Sequence, residues 1–505
     1  MPQLHDSSSR TAANRSAHYA DHARIFGLET EHGISVTGAN RTVTASEAAM
    51  EMFRPVVERA RSTNTYVDNG SRLYLDVGAH PEYATAEART PLDALLADLA
   101  GERTMASMGA DAQAVLRRKT GTDLTVHLFR NNVDSVGHSF GCHENYLVRR
   151  YVDLAAINDQ LLPFLISRQI YTGAGRFAHG RFGVTQRAEF VDETVSSATT
   201  RSRPMVNTRD EPHANPEDFR RLHVIIGDTN RSQWATTMKL GTTHLVLCLI
   251  EAAARHEYLS GMEKMALADP VAANLMINDF GGRSALHLAN GTTLTALEMQ
   301  EHYLAAAEAF VERFPQEAAQ SLGESWNDSS DGADAVGGIR WILDQWRWIL
   351  GRIEERDWPA MARKVDWTAK ATLFVALAHK QGFEGLRDPR LASSPLAAKL
   401  TQLDMDYHDI ANGTLYPALV RRGMMTTLVT DSQVDRAVRE PPSGTRAVLR
   451  GRFVRAARDA APDVRWTCDW TDVAVTAPVR ASAILLDPFS AEPTADYDAV
   501  MAALG

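Results

Sequence analysis

The sequence predicts an α+β fold, and three observations predict it. Short stretches of strict two-residue alternation are scattered over the first 230 or so positions, helical patterns dominate from about 230 to 420, and no regular strand–helix–strand alternation links them. That last feature argues against a doubly wound parallel sheet. At 505 residues and 44% apolar content the chain can build a large core in more than one domain.

Taken in order, residues 1–22 are rich in Ser, Ala, His and Arg without an apolar stretch, so they read as a disordered extension rather than a secretory signal. "RIFGLETEHGISV" (24–36) reads as a strand. Its Phe26, Leu28, Thr30 and Ile34 mark one face, and Gly27, Glu29, Glu31 and Gly33 the other. Positions 46–62 look helical. "NGSRLYLDVGAHPEYATAE" (69–87) then alternates, with Leu73, Leu75 and Val77 against Arg72, Tyr74 and Asp76, before Gly78 and Pro81 break it ahead of Glu82. A helix near 92–118 precedes the alternating "LTVHLFRNN" (124–132), and 152–172 is again helical. "RFGVTQRAEFV", "RPMVNTRDEPH" and "RRLHVIIGD" carry strand signals, and the Trp-rich "IRWILDQWRWILGRI" (339–353) is an amphipathic helix. The turn-prone "EPPSGT" (440–445) leads into a smaller C-terminal segment with its own strands.

Composition excludes several classes. A formal net charge of −10 argues against a general nucleic-acid binder, which needs a basic excess. Cys142, Cys248 and Cys468 form neither a zinc spacing nor a disulfide framework, which fits a reducing cytoplasm. "HLVLCLI" (244–250) is far shorter than the roughly 20 apolar residues of a membrane span and reads as a buried helix.

The polar strand faces point to chemistry. Glu29 and Glu31 on one strand, with Asp76 and Glu82 on the other stretch, repel one another unless a cation or arginine sits among them. Hard oxygen donors of this kind suit Mg²⁺. Arg203, Arg209, Arg221 and His223, in similar strand settings, add positive charge suited to phosphates. Carboxylates for Mg²⁺ with arginines for phosphates describe a site that binds ATP and stabilises a transferring phosphoryl group. The chain has neither a P-loop nor a strand–GxGxxG–helix fingerprint. "GCHENYL" (141–147) offers an adjacent Cys–His pair, but neighbouring side chains point apart, so a structural reading is favoured over a nucleophile.

The long stretches "RIFGLETEHGI", "NGSRLYLDVGAHPEYATAE", "LFRNNVDSVGHSFGCHENYL", "VSSATTRSRPMVNTRDEPHA", "RRLHVIIGD", "LDMDYHDI", "PPSGTRAVLRGRF" and "LDPFSA" run in order through the chain. In these the sequence resembles the Pup ligase family and, more distantly, its sister the Pup deamidase/depupylase, both related to glutamine synthetases. The resemblance implies a glutamine synthetase-like open antiparallel sheet packed with helices over residues 23–425, and a small C-terminal α/β domain over 426–505. It implies Mg²⁺ ligands at Glu29, Tyr74 and Glu82, ATP contacts at Arg72, Thr85 and Trp470, and a catalytic base at Asp76. Glu31, Arg203, Arg209, Arg221 and His223 are supporting candidates. The implied cofactors are ATP and Mg²⁺, and the implied partners are Pup and lysine-bearing proteins, with no nucleic acid and no membrane. The activity implied is joining the γ-carboxylate of the C-terminal glutamate of Pup to lysines, marking them for the proteasome. The alternatives are cleavage or deamidation by the depupylase branch, a paralogue using another amine, and an inactive Pup-binding module. Residues 34–68 leave no room for the long loop of the depupylase branch. His32 stands where the family usually has Phe or Tyr, and "ANGT" replaces the family's glycine–arginine–glycine after "YHDI".

Overall fold

The alternating stretches assemble into one eight-stranded sheet in the computed structural model, which describes residues 22–39, 43–76, 78–134, 137–196, 203–208, 210–278, 283–323 and 335–505. The strands up to residue 224 are β1 (Phe26–Glu31), β2 (Gly33–Thr37), β3 (Asn64–Tyr66), β4 (Arg72–Asp76), β5 (His80–Ala84), β6 (Thr125–Phe129), β7 (Cys142–Arg149), β8 (Arg176–Ala178), β9 (Arg181–Gly183), β10 (Glu193–Ser196), β11 (Pro204–Asn207) and β12 (Phe219–Val224). In the sheet their order is β10-β11-β12-β7-β1-β5-β4-β3. Every pairing is antiparallel except the edge pair β10–β11, so the expected antiparallel sheet is mixed at one border.

Two expectations need correction. The segment expected as one strand over 24–36 is two, because the chain bends at His32 and β2 leaves the large sheet to pair with β6. At the bend the backbone N–H and the Nδ1 of buried His32 both meet the Pro81 carbonyl, at 2.9 and 3.2 Å. Burial, then Arg130, push this imidazole down to about 4, so it packs as a neutral ring. Beyond Gly183, "VTQRAEFV" is not a strand; it is a tight turn ending in a 3₁₀ helix over Ala188–Phe190. Val77, Arg209 and residues 1–21 lie outside the described residues.

One face of the sheet makes the core. Phe26, Leu28, Tyr146, Leu222 and Val224 share a buried apolar cluster with Leu245 and Leu249 of the helix Gln233–Arg255, which contains the expected buried "HLVLCLI". Each such side chain contributes roughly 1.5–3 kcal/mol on burial, which fixes register and therefore which residues face the other way. The helix Pro91–Thr120 starts at the N-cap Thr90 with Pro91 in its first turn and stops at left-handed Gly121. It approaches β5 at Gly101, where a Cβ would stand 2.3 Å from the Tyr83 ring. Between β2 and β3 the described chain is mostly one helix, Ala45–Ala60, closed by a Thr44–Glu47 capping box.

The helices Ala447–Asp459 and Ala495–Ala502 and strands Arg465–Cys468, Asp472–Ala477 and Ala481–Ile484 form a second apolar cluster that includes Tyr66 of β3. Among the described residues no helix is long and apolar enough to cross a membrane.

Candidate active site

The face opposite the core carries the polar residues, because register sets them in rows. Glu31, Glu82 and Tyr74 are opposite one another across β1, β5 and β4. Glu29, Ala84 and Arg72 form the next row, and Asp76 faces His80. On the other side of β1, His143 of β7 is opposite Glu29, and Asn145 is opposite His223 of β12. Cys142, buried, points to the core face, which disposes of the adjacent Cys–His pair.

Hydrogen bonds then orient the donors. His143 Nδ1 lies 3.2 Å from Glu29 Oε2, and Asn145 Nδ2 donates to Glu29 Oε1 at 3.1 Å. Asn145 Oδ1 in turn accepts from His223 Nδ1 (2.9 Å) and Arg221 Nη1 (3.3 Å). A carboxylate or amide oxygen only accepts, so Nδ1 is the donor in both imidazoles, which leaves Nε2 as the atom to meet a metal. Burial raises the Glu29 carboxyl, but His223, His143 and Arg221 outweigh it and hold it below the usual range. Glu82 goes the other way: burial, then Glu29 and Glu31, push its carboxyl well up. Burial beside Glu82 and Glu29 likewise raises the Tyr74 hydroxyl, which hydrogen-bonds Glu82 and stays neutral. Burial lowers His223 to about 3.

These groups fit a divalent cation. One ligand atom each from Glu31, Glu82 and His143 lie within 4.8 Å of one another, and so do those of Glu29, His143 and His223. The site is also cut to shape around them. A Cβ on Gly141 would stand 2.4 Å from His143 Nε2 and 2.5 Å from Glu31 Oε1, so only glycine lets these two donors converge there. Without a cation the carboxylates of Glu29, Glu31, Asp76 and Glu82 repel, as the raised Glu82 records.

Beside the cluster lies a cleft that opens to solvent. Gly27, Glu29, Thr85, Arg221, Arg446 and Trp470 are among its walls. Thr85 is fixed because its hydroxyl accepts from the Leu28 N–H at 3.0 Å. Trp470 comes from the C-terminal unit, its ring edge-on to Tyr66 (5.3 Å) and tilted toward His213 (6.2 Å). Arg450 holds it, donating to the Trp470 carbonyl at 3.0 Å with its guanidinium 4.8 Å from the ring. Arg450 and Arg446 together clamp buried Glu87; burial raises that carboxyl, and the two arginines bring it down to about 2. The stretch after β5 is thereby locked to the start of the helix Ala447–Asp459.

The model of the Pup-ligase protein family matches residues 24–474. The chain belongs to the Pup-ligase family. It is 56% identical over 508 residues to the Pup–protein ligase of Bifidobacterium animalis subsp. lactis (strain AD011), covering 100% of this chain and 98% of that protein. To the Pup–protein ligase of Bifidobacterium longum (strain NCC 2705) it is 53% identical over 510 residues, covering 100% of both. Its fold matches the ligase PafA in complex with Pup with a TM-score of 0.83 at 37% identity, over 96% of this chain and 92% of that one. PafA in complex with ADP matches with a TM-score of 0.76 at 38% identity, over 92% and 96%.

Within this family member the expected residues fall into three groups. Glu29, Glu31, Tyr74, Asp76, Glu82, Arg221 and His223 share the polar face, and Thr85 and Trp470 line the adjoining cleft with Glu29 and Arg221. Arg72 is on the same face but turns outward, donating to Asn64 at 2.8 Å and stacking 4.8 Å from the Tyr74 ring. Arg203 is exposed at the sheet border, its backbone N–H held by Asp192 at 2.9 Å. The sequence reading missed His143, Asn145, Arg446 and Gly141. The first two were legible: read as a strand, "GCHENYL" puts His143 and Asn145 on one face.

Proposed function

We propose that this chain is an ATP-dependent ligase that joins the C-terminal glutamate of Pup to lysine side chains of proteins, through a glutamyl phosphate, in the cytoplasm and for delivery to the proteasome. The observation that carries it is one sheet face bearing a carboxylate–imidazole cluster beside an aromatic-walled cleft, in a chain of this family.

In this reading the cleft takes ATP. Trp470 supplies apolar area and stacking for the nucleoside, and Thr85 and Arg221 flank it. Glu29, Tyr74 and Glu82 hold Mg²⁺, with His143 and Glu31 close enough to join them. Bound Mg²⁺ supplies charge neutralisation for the triphosphate. Arg72, held outward by Asn64, would have to turn from β4 toward the cleft to meet the phosphates. The carboxylate oxygen of the Pup glutamate bonds to the γ-phosphorus as the bond to the β-phosphate oxygen breaks, and ADP leaves. The lysine amine then adds to the acyl carbon and phosphate leaves. A lysine is protonated near neutral pH, with a pKa of about 10.4, so a base must take its proton. In this reading Asp76, about 6–7 Å along β4 from Tyr74, takes it.

The test is incubation with Pup ending in Glu, a lysine-bearing protein, ATP and Mg²⁺, read by mass. Formation of conjugate with ADP is expected. Release of Pup from a preformed conjugate, without ligation, would overturn the ligase reading in favour of the depupylase branch.

A further inference from the structure

Arg187 is 2% exposed, and its charge is unpaired. Its Nη1 donates to the Ile225 carbonyl at 2.6 Å, while its Nε has no partner. Other buried arginines of this protein each meet a carboxylate: Arg24 with Glu251, Arg130 with Asp98, Arg168 with Glu144, Arg450 with Glu87. Among the described residues no carboxylate pairs with Arg187. Asp228 is near, but its oxygens accept from the backbone of Ala174 and Gln186 at 2.8–3.0 Å. Burying a cation without a counter-ion is costly, and structures keep such a group where an anion comes to it.

The group is also rigidly presented. Gln186 Oε1 accepts from the Asn132 N–H at 2.7 Å, Gln186 Nε2 donates to the Gly175 carbonyl at 3.0 Å, and Thr185 Oγ1 accepts from the Ala188 N–H at 3.2 Å. The turn around Arg187 is therefore fixed on both sides, and the guanidinium is preorganised.

Its place relative to the cluster gives it a role. Ile225, whose carbonyl it meets, follows β12 two residues beyond His223 and four beyond Arg221, a wall of the cleft. The nucleotide cleft is walled by Glu29 and not by Glu31. In register the cleft wall Gly27 is level with Asn145 and His223, Glu29 and His143 are one row further along, and the carbonyl that Arg187 meets lies past the end of β12 in that same direction. With the nucleotide in the cleft and its phosphates over the donors, Arg187 stands on the acceptor side.

We propose that Arg187 binds the acceptor: it pairs with the γ-carboxylate of the glutamate to be activated and holds the acyl phosphate made from it. This rests on the ligation reading above. One carboxylate oxygen bonds to the γ-phosphorus and ADP departs with the electron pair of the broken bond. The other oxygen, held by Arg187, becomes the carbonyl oxygen whose negative charge reappears when the amine adds. That charge collapses as phosphate leaves.

The experiment compares wild type with Arg187→Met and Arg187→Lys, with Pup ending in Glu as acceptor. Arg187→Met should lower kcat/KM for Pup by about 10² or more, the usual worth of one such donor, with ADP affinity unchanged. Removing an unpaired buried charge should leave the melting temperature of the ligand-free protein unchanged or higher. Arg187→Lys should regain part of the rate. Conjugation by Arg187→Met within about threefold of wild type overturns the proposal, and so does a lower melting temperature with a parallel loss of ADP affinity. If wild type forms no conjugate, the ligation reading falls and this role with it; if wild type and Arg187→Met both conjugate, only the role of Arg187 falls.

Discussion

Glu31 and Glu82 stand directly opposite each other on neighbouring strands, on the same face of the sheet. Like charges so placed destabilise by about 0.2–1 kcal/mol, and burial of Glu82 adds to the penalty. Folding in the absence of a cation therefore favours a protonated Glu82.

That relationship predicts a pH dependence. The folded-state pKa of Glu82 is raised above its ordinary 4.5, so its contribution to stability is complete below that value and is lost as pH rises toward the folded one. Glu29 is lowered, so its contribution is present above 4.5 and disappears only in strong acid. Buried neutral His32 and His223, lowered to about 4 and about 3, add stability as pH rises toward 6.5, so the Glu82 contribution is read as the difference between wild type and Glu82→Gln. In chelator that difference should turn against wild type as pH rises above 4.5, and millimolar Mg²⁺ should flatten the trend. Well above pH 4.5, Glu82→Gln should raise the melting temperature in chelator by about 1–3 °C and weaken the response to Mg²⁺. Thermal scans with and without chelator check all three; equal slopes in both would sink the cation assignment.

Asp76→Asn isolates the proton-transfer step. The amide is nearly isosteric, and Asp76 faces His80 away from the Glu29 row, so binding of ATP and Pup should persist. Lysine conjugation should fall by about 10²–10⁴, with part of the loss recovered at high pH, where more lysine is neutral. Hydroxylamine is neutral near pH 7 and needs no base, so it should still trap the glutamyl phosphate. Loss of trapping as complete as the loss of conjugation would move Asp76 into the phosphoryl-transfer machinery.

How much of this was legible in the sequence depends on the range of the forces. Two-residue alternation fixed the faces of β1 and β4, since one face had to be apolar to meet the helix Gln233–Arg255. It could not show the bend at His32, which depends on a carbonyl 49 residues away at Pro81. Arg72 had the right face and strand, yet its side chain was free to choose Asn64 on the edge strand. The clamp of Glu87 by Arg446 and Arg450 spans some 360 positions, and no local pattern announces such a pair. Conversely, Trp470 carries no periodic signal for ligand binding; its expected place came from the resemblance, and the fold sets it in the wall of the cleft.

Trp470→Ala should weaken ATP more than Pup. The ring borders the cleft from the C-terminal unit, and its backbone is held by Arg450, which Glu87 holds in turn. Truncation removes a stacking surface worth about 0.5–1.5 kcal/mol beyond its area, while leaving that ion-pair lock in place. KM for ATP should rise by roughly tenfold with KM for Pup within about twofold. Equal changes in both, or a large drop in melting temperature, would return Trp470 to a purely structural role.

Gly141→Ala tests the metal cluster without touching any of its donors. The backbone of Gly141 does not need positive φ, so alanine suits the chain itself. The added methyl would nevertheless stand 2.4 Å from His143 Nε2 and 2.5 Å from Glu31 Oε1, closer than any ordinary contact. One or both donors must swing aside, and the set Glu31, Glu82 and His143 can no longer converge. The Mg²⁺ concentration for half-maximal conjugation should rise by about tenfold or more, as loss of correct donor orientation commonly produces. Melting temperature in chelator should be unchanged or slightly raised, because parting Glu31 from its neighbours relieves repulsion. Gly101→Ala serves as contrast: its methyl would meet the core ring of Tyr83 at 2.3 Å, so it should lower the melting temperature and leave the Mg²⁺ requirement alone. If Gly141→Ala keeps a wild-type Mg²⁺ requirement, Glu31 and His143 do not jointly hold the ion, and the cation rests on Glu29, Tyr74 and Glu82 alone.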